Sequence, residues 1–308
     1  MKGIHLLLIL AAAFTSGLSA CGNKPAEPEV PEGLTVLVAE SFLADIVQNV
    51  AGEQAAVQTL VPAGSDPHAF QATPQDIARI ENADLFVVNG GGLEEWFEPL
   101  MGDGFSTTIV IASEGLDPVL REQAGDETHG HEEGDPHFWL DPTLVVQYVR
   151  NIQAALTQAD PAGASVYEQN AATYIQELAL LDEWITEQAT LVPPENRILV
   201  TNHESLGYFA DRYGFSVAGA VIPSVSSSAT SSAADLSDLV KTIRAYKIKA
   251  IFIETGANSS LATQIASETG IVVVDDIYTH SLTGVEGNAP TYLDMMKYNT
   301  SRIVETLK

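Results

Sequence analysis

The 308 residues predict an α/β fold in which two halves, each built on a parallel-type sheet, are joined by one long α-helix. Short apolar runs alternate with stretches of helical periodicity in both halves, the pattern of strand–helix–strand units. A single unbroken helical pattern over 160–192 separates the halves. Several histidines fall just past the carboxyl ends of predicted strands, where open α/β sheets place their ligands.

Residues 35–39 (TVLVA) read as a buried strand, followed by a helix through Phe42, Ile46, Val47 and Val50 that ends at Gly52. Residues 56–61 form a second strand leading into the His68 loop. Thr73 is placed to cap the next helix, with Pro74 at its first position. Residues 84–89 (DLFVVN) are a third strand, which Gly90-Gly91-Gly92 is expected to turn into a helix carrying Trp96; residues 108–112 are a fourth. Asp141-Pro142 starts a helix to about 158. In the long helix, Tyr167, Ala171, Tyr174, Leu178, Leu181, Ile185 and Ala189 recur at steps of three and four, and Pro193-Pro194 stops it. The second half then predicts strands at 198–201, 217–221, 250–253 and 271–274, with helices at 206–213, 233–246, 260–269 and 291–307. Residues 224–232 are Ser-rich and read as a connection.

Residues 1–20 have the form of an export signal: Lys2, an apolar run over 6–14 too short for the about 20 residues of a membrane span, then small residues. Leu18-Ser19-Ala20-Cys21 resembles the lipobox of bacterial lipoproteins, in which the cysteine is lipidated. Cys21 is the only cysteine, so no disulfide framework exists. Acylation at Cys21 would hold the chain on a bilayer, each buried CH2 contributing about 0.8 kcal/mol. Residues 21–33 alternate proline and glutamate and read as a semi-extended tether. The expected organisation is therefore a signal over 1–20, a tether over 21–33, an N-terminal α/β lobe over 34–159, a linking helix over 160–192 and a C-terminal α/β lobe over 193–308. A formal charge of −27 argues against nucleic acid and against a basic membrane-binding face.

Six of the seven histidines lie beyond the signal. His129 and His131 sit in an acidic loop. His68, His137, His203 and His280 come singly, at spacings of 69, 66 and 77 residues. His68 and His137 each occupy an Asp-Pro-His corner, a rigid setting that aims one imidazole. A lone histidine is more commonly a satisfied polar residue than a ligand. Four of them, two per half and all facing the predicted cleft, point together to one transition-metal ion. No Cys-x-x-Cys or His-Glu-x-x-His is present, so spacing alone leaves the metal site open.

The segments PAGSDPHAFQATPQDIARIENADLFVVNGGGLEEW, DPHFWLDP, TNHESLGYFADRYGF and YLDMMKYN resemble the zinc/manganese solute-binding lipoproteins of bacterial ABC importers, from about residue 34 to the end. The resemblance implies two Rossmann-like lobes, a rigid linking helix and a metal held in the cleft between the lobes. It carries ligand roles to His68, His137 and His203. The family's usual carboxylate position falls on His280, so imidazole is expected as the fourth ligand there, with water or a carboxylate such as Asp276 as the alternative. It also implies a membrane permease as partner, a monomeric lipid-anchored protein on the outer face of the membrane or in the periplasm, and no enzymatic activity.

Imidazole suits Zn²⁺ and oxygen ligands suit Mn²⁺, so zinc is expected over manganese. Asp66, Asp135 and Glu204 are candidate acceptors for the ring N–H groups; for the two Asp-Pro pairs, turn formation is the competing role. His129 and His131, with Asp126, Glu127, Glu132 and Glu133, resemble the His/acidic loop of zinc-type members and are a candidate capture loop, against the reading of a plain acidic loop. The rivals are an adhesin and an extracytoplasmic zinc hydrolase with Glu204 as base; four protein ligands would close such a site to substrate.

Overall fold

The computed structural model describes residues 33–97, 99, 106–119 and 134–308. Cys21, the rest of the leader and tether before residue 33, and the acidic loop with His129 and His131 lie outside the described residues.

Two four-stranded sheets organise the chain, and every strand pairing is parallel. The first contains β1 (Leu34–Val38), β2 (Ala55–Thr59), β3 (Leu85–Val88) and β4 (Thr108–Ile111) in the order β2-β1-β3-β4. The second contains β5 (Ile198–Thr201), β6 (Ser216–Ala220), β7 (Ala250–Glu254) and β8 (Val272–Ile277) in the order β6-β5-β7-β8. In each sheet the connections reverse direction around one strand pair, β1/β3 and β5/β7. The carboxyl ends of those strands border a natural ligand crevice.

Helices cross over between the strands: α1 (Ser41–Ala51), α2 (Pro74–Glu81), α5 (Gly207–Tyr213), α6 (Ala233–Tyr246) and α7 (Ser260–Thr269). Thr73 and Asp76 close a capping box at α2, with Pro74 in the first turn. Between the halves run α3 (Pro142–Ala159), capped by Asp141, and α4 (Ala164–Ala189); α8 (Tyr292–Leu307) completes the chain. The buried residues of α4 are the seven that its periodicity singles out. They pack into one apolar cluster with α1, α3, α8 and residues of both sheets, so residues 33–308 form one compact unit.

The sequence misled at the turn after β3. Residues 91–97, Trp96 included, are turns, not a helix. Gly90, Gly91 and Gly92 all hold positive φ (83°, 66° and 89°), a conformation that cannot start a right-handed helix. Gly91 is required on a second ground, because a Cβ there would lie 2.9 Å from the Phe138 ring.

Under this turn lies a buried acid pair. Glu94 accepts the N–H groups of Asn89 (2.6 Å) and Gly90 (3.0 Å). Among the described residues no donor reaches the two Glu40 oxygens, and the Glu94 carboxyl is the charged neighbour that acts on Glu40. Burial, then repulsion from Glu94, pushes Glu40 well above the usual carboxylate range. The folded state therefore holds a proton that the unfolded chain releases near about 4.3, and stability falls as pH rises towards the folded value. Glu40→Gln is expected to gain stability over the parent progressively between about pH 5 and pH 8. Urea unfolding across that range checks this, and a parallel pH profile for the two proteins would refute it.

Candidate metal centre

The four isolated histidines reach one point from four loops. His68 lies in a 3-10 turn (Pro67–Ala69) after β2, shaped by Asp66, which accepts the His68 backbone N–H at 3.0 Å. His137 precedes a 3-10 turn (Phe138–Leu140) whose three side chains are buried. His203 stands two residues beyond β5 and His280 three residues beyond β8. β8 runs further than its apolar run, through Asp275 and Asp276 to Ile277, and so brings His280 closer to the strand end than the sequence suggests.

All four rings are buried. Their six centre-to-centre distances fall between 5.1 and 5.5 Å, a nearly regular tetrahedron. The Nε2 atom of His137 lies 3.2 Å from that of His203 and 3.2 Å from that of His280. One nitrogen from each of the four rings fits within a 4.8 Å span. Neither ring nitrogen of His68 has a hydrogen-bond partner among the described residues. A buried imidazole so placed has lost its water without replacement, unless a cation takes that role.

The other ring nitrogens are held from behind. Asp135 Oδ1 meets His137 Nδ1 at 2.7 Å and also accepts the His137 backbone N–H at 3.0 Å, so this Asp-Pro corner shapes the turn and orients the ring together. Glu254, the last residue of β7, meets His203 Nδ1 at 3.0 Å through one oxygen and approaches His280 Nδ1 at 3.6 Å through the other. Thr279 Oγ1 lies 2.9 Å from the same His280 nitrogen. Sequence reasoning offered Glu204 for His203 and missed Glu254. The available signal was a charged residue closing the apolar run AIFIE at a switch-point strand. Asp66 serves the His68 backbone and the Ser227 hydroxyl. Asp276 binds Tyr298 (2.7 Å) and Arg302 (3.0 Å), which commits it away from the cluster.

Electrostatics follow the same geometry. Burial, reinforced by the other three rings, holds His68 well below the ordinary imidazole value. Burial pulls His137 down to about 4 in spite of Asp135. For His203 burial also acts downward, but Glu254, Asp66 and Asp135 together outweigh it and raise the ring. Glu254 is itself desolvated, yet the facing imidazoles hold it well below the carboxylate range.

Contacts across the crevice tie the loops of His68, His137 and His280 to one another and to their surroundings. The Trp139 indole N–H donates to the Thr279 carbonyl at 2.7 Å, and the Tyr292 hydroxyl donates to the Trp139 carbonyl at 2.7 Å. Gly64 N–H donates to Ser281 Oγ at 2.9 Å, Leu282 N–H donates to Ser41 Oγ at 2.8 Å, and Ser227 bonds Asp66.

Residues 36–306 match the model of the ZnuA family, zinc-uptake complex component A, periplasmic. The chain belongs to this family. It is similar to the manganese-binding lipoprotein MntA of Halalkalibacterium halodurans, at 35% identity over 90% of this chain and 89% of that one. Among solved structures, the Mn-bound periplasmic metal binding protein from Candidatus Liberibacter asiaticus superposes with a TM-score of 0.78 at 33% identity, covering 89% of this chain and 100% of that one. The periplasmic zinc binding protein TroA from Treponema pallidum gives a TM-score of 0.79 at 28% identity, covering 89% and 99%. This ZnuA-family chain is thus a metal-binding substrate-binding protein of an ABC transporter and not an enzyme. No helix among the described residues is long and apolar enough to cross a membrane.

Proposed function

We propose that His68, His137, His203 and His280 bind one Zn²⁺ as cargo, and that the chain delivers it to the membrane permease of an ABC importer. The tetrahedron of rings carries this reading. A regular tetrahedron with edges of 5.1–5.5 Å has its centre about 3.1–3.4 Å from each corner, which matches a Zn–N bond of about 2.0–2.1 Å plus roughly 1.1 Å from nitrogen to ring centre. The N···N separations of 3.2 Å are close to the about 3.3–3.4 Å edge of such a coordination shell. Four nitrogens and no carboxylate suit zinc, whereas manganese favours oxygen. Manganese is the second reading, favoured by the ion named for the H. halodurans relative.

Elemental analysis of the purified protein, followed by competition between Zn²⁺ and Mn²⁺, tests this. The expected result is one zinc per chain, not displaced by a tenfold excess of manganese; equal retention of both ions would favour manganese as an equal cargo.

Metal binding needs neutral imidazoles, so protons compete. His203 charges above the ordinary imidazole value of about 6.5, because Glu254, Asp66 and Asp135 raise it against burial. Zinc affinity is therefore expected to fall as pH drops below that point, and to fall more steeply near 4, where His137 titrates. A flat titration from pH 8 to pH 5 would contradict histidine ligation.

In this reading the chain is a monomer anchored through acylated Cys21 at the outer face of the membrane, as the lipoprotein names of its relatives suggest. His129 and His131 act as a weak capture loop feeding the site. Deleting residues 129–133 is expected to slow uptake at limiting zinc with stoichiometry unchanged; equal uptake would dismiss the loop's role.

A further inference from the structure

A shell of four neutral imidazoles has no charge of its own. It would accept a tetrahedral monocation such as silver(I) on the same nitrogens as a dication, so discrimination by charge must come from outside the ligand set. Glu254 is placed for this task. It is buried, it ends β7 at the switch point of the second sheet, and its two oxygens face Nδ1 of two different rings, at 3.0 Å on His203 and 3.6 Å on His280. The register irregularity between Phe252 and Glu254 falls where the strand turns this side chain towards both rings. Ser205 Oγ donates to one of its oxygens at 3.0 Å and fixes its rotamer. Asp135, fully buried, faces His137 Nδ1 at 2.7 Å. Three of the four rings thus have an anion behind them.

We propose that Glu254, assisted by Asp135, is the specificity-determining residue that makes this site select a divalent over a monovalent cation. The inference rests on the four-histidine metal reading above. The physical basis is that a fixed anion attracts a cation in proportion to the cation's charge. Deleting one anion without moving the nitrogens costs a dication twice the free energy it costs a monocation, so the fold-loss for zinc is the square of the fold-loss for silver.

The test uses the full chain carrying Cys21→Ser, which removes the single thiol. Zn²⁺ and Ag⁺ affinities are measured by competition in nitrate buffer for this protein and for Glu254→Gln. The expected result is a loss of about tenfold for silver and about a hundredfold for zinc, within the range of changes behind metal ligands. Glu254→Asp keeps the charge and is expected to hold the parent ratio of the two affinities even where both fall. If Glu254→Gln does not fold, Asp135→Asn gives the same comparison from the other anion. Equal fold-losses for the two cations would overturn the inference and leave Glu254 a ring-positioning residue. Failure of the parent to bind one zinc per chain would instead overturn the metal reading itself.

Discussion

Replacing His137 by alanine is expected to lower zinc affinity by a hundred- to a thousandfold. Zinc held by four protein ligands binds with an apparent free energy of about 10–16 kcal/mol. An even share assigns about 2.5–4 kcal/mol to each ligand, which is about two to three decades of affinity. In the cluster, Nε2 of His137 lies 3.2 Å from Nε2 of both His203 and His280. The effect on folding is smaller, because Asp135 still accepts the backbone N–H of residue 137. Calorimetric zinc titration beside thermal unfolding of the metal-free protein separates the two effects. An affinity within tenfold of the parent would remove His137 from the ligand set.

Trp139→Ala is expected to cost about 3–5 kcal/mol of stability, the range for deleting a fully buried large aromatic. Trp139 is 0% exposed and stacks on Phe42 with ring centres 4.3 Å apart and planes at 20°. Its indole N–H also ties the loop of His137 to the loop of His280 through the Thr279 carbonyl. The metal site should therefore loosen with the core. Trp139→Phe separates the two contributions: it keeps the apolar stack, leaves a buried carbonyl without its donor, and should cost about 1–3 kcal/mol. Urea unfolding of both variants checks this; a loss below about 1 kcal/mol for Trp139→Ala would show that the core does not depend on this ring.

Local signals made much of the fold legible. The α4 stripe needs only a 3.6-residue period, and the caps at Thr73 and Asp141 need only their own turns, so each can be read without knowing the partner surface. Strand β5 and helices α6 and α7 fall on the residues their patterns predict. The turn at 91–97 was misread because Gly90-Gly91-Gly92 was expected to lead into a helix, whereas all three glycines hold positive φ. The histidine positions were legible as candidates because each follows a strand or an Asp-Pro corner.

The orienting groups were not legible. Glu254 is 51 residues from His203 and 26 from His280, and no local rule connects them. The pairing of Glu40 with Glu94 crosses from β1 to the turn after β3 in the same way. The amino-acid sequence by itself determined two parallel α/β halves, the helix between them and four histidines at loop positions, because helix and strand periods and turn chemistry are properties of neighbouring residues. Only the tertiary structure decided that the four rings stand at the corners of one tetrahedron, and which carboxylates stand behind them. Those distances are fixed by packing between residues far apart in the chain, through the shared core of α1, α3, α4 and α8.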